Sequence, residues 1–304
     1  MHPVLFKIGS FPIHSYGFML ALSFLLGIWL ATWRAKKKGL NPDIIADVGF
    51  WVIISAVIGA RLYYVLLHFE EFRGDLFSIF NPFQNGTIGI GGLVMYGGFI
   101  GAIVAGVIYF RIKKTPFLPY ADAMAPSVGF GIMLTRIGCF LNGCCMGAES
   151  HGPCAVSFPL ISPAGAYQHH IHATGLYPSQ LFESGGGLLI ALIVLAVERT
   201  KPFTGLQFYL VGILYAILRF MVDFSRHYEV SEKFGPLSHN QIVCIVLFIV
   251  FMGLVLREIL FREEPSVGIP SSVPLSSAPS TPLPGKNQPD ETTSSRRADT
   301  KTAD

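Results

Sequence analysis

Tyr16–Lys38 reads YGFMLALSFLLGIWLATWRAKKK, and this stretch decides the class of fold. From Tyr16 to Trp33 no residue carries a charge. A helix needs roughly 20 mostly apolar residues to cross the hydrocarbon core of a bilayer. The cations Arg34, Lys36, Lys37 and Lys38 follow at once. A cleaved secretory leader has the reverse order, with its positive charge ahead of the apolar run, so this run is expected to be retained as a membrane span.

Working outward, Gly86 to Phe110, Pro202 to Leu218 and Asn240 to Leu256 are also uncharged. Ile44 to His68, Tyr120 to Leu141 and Pro178 to Val197 are apolar runs interrupted by one or two charged residues. The composition agrees. Of 304 residues 51% are hydrophobic and 13% charged, whereas an ordinary soluble domain carries about 25% charged residues. So little charge cannot cover a water-facing surface, which excludes a soluble enzyme, a disordered chain and a nucleic-acid binder. Alternation with a period of two is absent, so a β-barrel is not expected. The reading is an all-α polytopic integral membrane protein with seven transmembrane helices.

Loop charge sets the expected orientation. Arg34, Lys36, Lys37, Lys38, Arg111, Lys113, Lys114, Arg199, Lys201, Arg257 and Arg262 fall on one side; Lys7, Arg73, Arg226 and Lys233 fall on the other. Lys and Arg accumulate on the cytoplasmic side. The N-terminus is therefore expected outside, the C-terminus in the cytoplasm, and the Lys- and Arg-free stretch from Asn142 to Leu176 is an outward-facing loop region. Residues 1–264 form the membrane domain. Residues 265–304, with seven Pro, eight Ser and no aromatic residue, read as a disordered cytoplasmic tail. Small residues four apart (Gly97/Gly101, Gly98/Ala102) permit close helix approach, and packing within one chain is the expected use.

Charge at membrane depth costs about 2.5–3.5 kcal/mol per residue on insertion scales, so each such residue is expected to face a partner or a polar chamber. Arg61, Arg136, Glu183, Arg219 and Asp223 stand out. Arg219 and Asp223 are i, i+4 and share a helix face. An internal ion pair accounts for these two, and Arg61 and Arg136 are expected either to snorkel or to pair with Glu183. Three arginines against two carboxylates leave room for an anion. The planar guanidinium fork, always charged, suits phosphate, so a phospholipid headgroup is the expected ligand. Tyr16 begins its span as an interfacial residue; Tyr96 lies deeper among glycines and is expected to need a partner for its hydroxyl. His14 reads as a surface histidine.

Cys139, Cys144, Cys145 and Cys154 cluster on the outer side, with Cys244 alone in the last span. Cys139-x4-Cys144-Cys145 does not match a usual zinc spacing, so no metal is expected. Small buried hydrophobes are the default reading of these thiols, and thiol redox chemistry is the alternative.

Several blocks in order resemble the prolipoprotein diacylglyceryl transferases: His2-Pro-Val-Leu-Phe-Lys-Ile-Gly9, His14-Ser-Tyr-Gly17, Gly91-Gly-Leu-Val-Met-Tyr-Gly-Gly-Phe-Ile-Gly101, Arg136-Ile-Gly-Cys-Phe-Leu-Asn-Gly-Cys-Cys-Met-Gly147, Tyr177-Pro-Ser-Gln-Leu-Phe-Glu183, Arg219-Phe-Met-Val-Asp223 and Leu237-Ser-His-Asn-Gln241. The resemblance covers nearly everything except the tail. It implies an enzyme of a bacterial inner membrane that moves a diacylglyceryl group from phosphatidylglycerol to the lipobox cysteine of a prolipoprotein signal peptide, with no cofactor and no nucleic-acid partner. It also implies that Tyr16, Arg136, Asn142, Gly147 and Arg219 fall on functional positions. Asp223 stands where Glu is common, and Tyr96 where members carry His or Tyr. Thr135, Cys139 and Cys144 depart from the Gly, Asn and Glu that the motif commonly carries.

On that basis Arg136 and Arg219 are expected to stabilise charge on the departing phosphate, with Asp223 orienting Arg219. Tyr16 and Tyr96 are expected to relay a proton or hold headgroup hydroxyls. Asn142, Gly147 and Asp223 complete the expected lipid site. A membrane thiol–disulfide oxidoreductase using the outer cysteines is the alternative reading, and a transporter for anionic lipid or solute the third; the chain shows no internal repeat to support the latter.

Overall fold

The computed structural model describes residues 2–9, 11–72, 83–84, 87–88, 95–200, 203–226 and 233–261. The chain opens with an antiparallel pair, β1 (Val4–Ile8) and β2 (Phe11–His14), and continues into helix α1 (Ser15–Lys37). Then come α2 (Pro42–Leu67), the single turn α3 (Phe69–Phe72), and the two-residue strands β3 (Phe83–Gln84) and β4 (Thr87–Ile88). Next are α4 (Met95–Ile112), α5 (Phe117–Asn142), α6 (Pro163–His170), α7 (Ser179–Val197) and α8 (Leu206–Asp223). The described chain closes with β5 (Lys233–Phe234), β6 (Leu237–Ser238) and α9 (His239–Leu260).

Six helices, α1, α2, α5, α7, α8 and α9, are long and apolar enough to cross a membrane. The seventh expected span, Gly86 to Phe110, is described only in part. Thr87 and Ile88 pair with Gln84 and Phe83 in a short antiparallel ladder, so the helix starts later than the uncharged run. It is described from Met95, and its apolar stretch Tyr96–Ile112 is shorter than the other six. The three short strand pairs were also not expected, because two to five residues carry too little alternation to read. The stretch from residue 265 lies outside the described residues.

Helix α5 is the hub, packing against α1, α7 and α8, while α2 packs against α4 and α8 against α9. Helix contact is close where glycine replaces a side chain. A Cβ on Gly97 would sit 2.3 Å from the Gly59 carbonyl oxygen, and one on Gly101 2.3 Å from that of Ser55. The small-residue face of α4 thus serves packing within the chain, as expected. Gly129 of α5 and Gly187 of α7 meet in the same way.

The Asn142–Leu176 segment is more built than a plain loop. It contains α6, capped by the Ser162 hydroxyl, which accepts from the Gly165 N–H at 3.1 Å. Its own core is Phe158, Ala164 and Leu176. Leu176 anchors it by exchanging backbone hydrogen bonds with Val156.

Candidate functional site

Two polar clusters occupy opposite ends of the bundle. At the end where α1 and α7 finish and α5 and α8 begin, Arg34 is buried and fully engaged. Its Nε donates to the Ala123 carbonyl at 3.0 Å, Nη1 to Glu198 at 2.7 Å and Nη2 to Gln207 at 3.2 Å. Lys38 donates to Gln207 at 2.7 Å. Asp122 accepts from the Gly205 and Phe208 N–H groups at 2.6 and 3.0 Å, at the start of α8, where a carboxylate also meets the positive end of the helix dipole. A cavity of 460 Å³ opens beside this cluster, lined in part by Lys38, Asp122, Glu198 and Gln207. The charged groups of this cluster, Arg34 and Lys38 with Glu198 and Asp122, already have partners, so volume alone does not mark the site of chemistry.

The opposite end differs. Glu183, in the second turn of α7, is 0% exposed. Three guanidiniums converge on it: Arg136 from α5 at 2.7 Å, Arg219 from α8 at 3.7 Å and Arg226, just past α8, at 3.9 Å. Asp223 pairs with Arg219 at 3.3 Å, one helical turn away, and takes a hydrogen bond from the Ser238 hydroxyl. That hydroxyl also caps α9 in a reciprocal capping box with Gln241. Among the described residues Arg226 Nε and Nη2, Gln180 Oε1 and Glu183 Oε2 are buried without a hydrogen-bond partner. The third arginine is Arg226. Arg61, expected as a possible partner of Glu183, instead lies over the Tyr64 and Phe72 rings at 5.6 and 5.3 Å.

The segment after α5 closes this end. Gly143, at φ +70°, ends α5 with a Cys144 N–H to Cys139 carbonyl bond of 3.1 Å and a Gly143 N–H to Phe140 carbonyl bond of 3.2 Å. This Schellman pattern turns the chain back over the helix end. Gly147 follows, with its N–H on the Tyr177 carbonyl at 3.1 Å. A Cβ there would stand 2.5 Å from Ser179 Oγ, the Ser225 carbonyl oxygen and the Tyr177 carbonyl oxygen, so the position admits only glycine. Gln180 donates to the Cys144 carbonyl at 2.8 Å and ties the turn to α7.

The structure brings Arg136, Arg219 and Asp223 together, with Asn142 and Gly147 on the adjoining turn. Tyr16, 38% exposed, starts α1 against Gly138 of α5 and lies within electrostatic reach of Arg136 and of Cys139, Cys144 and Cys145. Its position is fixed by Ser15, whose N–H donates to the Pro3 carbonyl at 2.9 Å. Tyr96 is not brought in. It occupies the first turn of α4 and is 60% exposed, and among the described residues no hydrogen bond joins it to Arg136. Hydrogen bonds from Cys139 and Cys144, reinforced by Arg226 and Arg136, hold the Cys145 thiol far below its usual range.

Sequence reasoning left Glu183 outside the site and missed Arg226, Gln180, Ser238 and Tyr215. From sequence Glu183 reads only as a structural partner, and Arg226 as a loop cation. Tyr215 precedes Arg219 by one turn and lies in the field of Glu183, Arg136 and Arg219; its i, i+4 spacing was the available signal.

Fold and site together define a polytopic helical membrane protein with an arginine-rich, carboxylate-centred cluster at one end of the bundle. Residues 3–257 match the family model described as prolipoprotein diacylglyceryl transferase. Phosphatidylglycerol–prolipoprotein diacylglyceryl transferase 1 of Clostridium perfringens is 34% identical over 73% of this chain and 82% of its own. The phosphatidylglycerol–prolipoprotein diacylglyceryl transferases of Clostridium kluyveri and Nitratidesulfovibrio vulgaris are each 34% identical, over 84% and 87% of this chain and 94% and 96% of theirs. The chain belongs to the prolipoprotein diacylglyceryl transferase family.

Proposed function

We propose that this chain transfers the diacylglyceryl group of phosphatidylglycerol to the lipobox cysteine of a prolipoprotein, in a bacterial inner membrane. The substrate cysteine sulfur attacks the sp³ glycerol carbon. The new C–S bond forms as the C–O bond to phosphate breaks, and the electron pair leaves with glycerol phosphate. Overall the thiol proton is balanced by the proton the released phosphate can take up. A free thiol has a pKa of about 8.5, and the thiolate is the nucleophile.

One observation carries the reading: Arg136 and Arg219, borne by separate helices, meet on the same buried carboxylate at 2.7 and 3.7 Å. With Arg226 they place three guanidiniums around Glu183 and Asp223, and a guanidinium fork suits the oxygens of a phosphodiester. Guanidiniums fixed by Glu183 and Asp223 are preorganised for the charge that grows on the leaving phosphate, an effect worth several kcal/mol in a water-poor site. Tyr16, Asn142 and Gly147 line the adjoining turn, and Asn142 suits the glycerol hydroxyls. Tyr96 keeps a role only as a residue at the rim of α4. An apolar groove of 180 Å³ between α8 and α9, lined by Phe220, Cys244 and Phe248 among others, suits acyl chains.

Seven spans, an outer N-terminus and a cytoplasmic C-terminus complete the proposal. Under it the Arg136 end lies at the outer face and the Arg34 end at the cytoplasmic face. The helices alternate in direction, which supports this arrangement. The oxidoreductase alternative finds no support among the relatives. The test is to give the purified protein phosphatidylglycerol labelled in its acyl chains and a lipobox peptide. Label on the peptide cysteine is expected, and none appears when that cysteine is replaced by serine. Failure to label the cysteine would defeat the proposal.

A further inference from the structure

The lipid reaction leaves one cluster of reactive groups without a task. The sulfurs of Cys139, Cys144 and Cys145 all lie within 4.8 Å of one another. All three are free thiols, and they run from buried through half-buried to exposed. The spacing Cys139-x4-Cys144-Cys145 lacks the two pairs of an ordinary zinc site. The Schellman turn at Gly143 removes that objection, because it folds Cys144 back onto the last turn of α5, where Cys139 sits. Cys145 is held at φ +59°, a left-handed conformation that residues with a Cβ rarely adopt. Strain of this kind persists where the surroundings enforce it, and it clusters at functional sites.

We propose that Cys139, Cys144 and Cys145 form a binding site for one soft, thiophilic metal cation at the end of α5. Thiolates select zinc, copper(I) and similar ions over hard cations. A metal about 2.3 Å from each of three sulfurs sets them about 4 Å apart, so the ligands are within about 1 Å of their places. On loading with a divalent ion, three metal–sulfur bonds form, each S–H bond still present breaks, and those protons leave to solvent. No electron is exchanged. The complex carries one net negative charge, and Arg136 and Arg226, both within electrostatic reach of Cys145, offset it. Exposed Cys145 gives the ion its way in and leaves a fourth position open to water. The bound ion ties the end of α5 to the turn that leads to Gly147. This inference does not rest on the lipid reaction.

The full chain, purified in detergent, reduced and freed of reductant under argon, is titrated with Cd²⁺ and followed by thiolate-to-cadmium charge-transfer absorption. One equivalent per chain is expected to saturate the band. Cys145→Ser, at an exposed position, is expected to abolish it, and so is Cys144→Ser. A Cys154→Ser/Cys244→Ser double variant is expected to keep it. A band that survives in Cys145→Ser, a band lost in the double variant, or no band in the reduced wild-type chain overturns the proposal. So does alkylation showing that two of the three sulfurs stay joined after reduction.

Discussion

Arg34 and Arg136 are both arginines in apolar helices, and both reach a glutamate at 2.7 Å. Their neighbourhoods set them apart. Around Arg34 two cations face two carboxylates, and the main chain and Gln207 take up the remaining donors and acceptors. Around Arg136 three arginines face two carboxylates, and buried nitrogen and oxygen atoms of Arg226, Gln180 and Glu183 lack hydrogen-bond partners among the described residues. A buried polar group without a partner costs about 1–3 kcal/mol. A saturated cluster holds helices together. An unsaturated, positively biased one is built to receive an anion. The lesson is that membrane-depth charge does not identify a site; an incomplete hydrogen-bond inventory around it does.

The sharpest way to break this contrast is at the arginines themselves. Arg136→Ala removes a donor aimed at the developing charge and is expected to lower transfer by about 10²–10³-fold, with the fold retained by thermal unfolding in detergent. Equal loss of folded protein would place Arg136 in the structural class with Arg34. A smaller effect is expected of Ser238→Ala, which removes both the hydrogen bond to Asp223 and the cap of α9. It should cost about 1–2 kcal/mol of stability and lower transfer several-fold by freeing Asp223, which holds Arg219. If kcat and KM are unchanged, the Ser238–Asp223 link does not position Arg219. The smallest effect on chemistry is expected at the other end. Arg34→Gln leaves Glu198 with Lys38 alone, at 3.6 Å, and should cost about 1–3 kcal/mol of stability, seen as a lowered unfolding midpoint, while turnover per folded molecule stays at the wild-type value. A turnover loss without an unfolding shift would reverse the assignment of the two ends.

Much of this architecture was legible before any coordinates. Apolar runs without charge became α1, α8 and α9, and runs with one or two charges became α2, α5 and α7, because burial in lipid leaves few other solutions. The Gly86–Phe110 run reads longer than the helix described within it, because an uncharged run also passes through the Thr87–Ile88 strand. Arg219 and Asp223 were readable as a pair from one-turn spacing. The meeting of Arg136 with Glu183, 47 positions apart, was one of two expected outcomes, because a charge at that depth needs a partner; that Arg136 and not Arg61 takes it is decided by helix packing. Arg226 looked like a loop cation for the same reason. The cysteine cluster was hidden by the turn at Gly143, where one left-handed residue makes a five-residue step into a contact.

The central claim is that the guanidinium of Arg219 grips the lipid phosphate beside Arg136 as a planar fork, not merely as a positive charge. Arg219→Lys keeps the charge and loses the fork. Measured with labelled phosphatidylglycerol and a lipobox peptide, its turnover is expected to fall by about 10²-fold at unchanged folded content; turnover near the wild-type value would contradict the account.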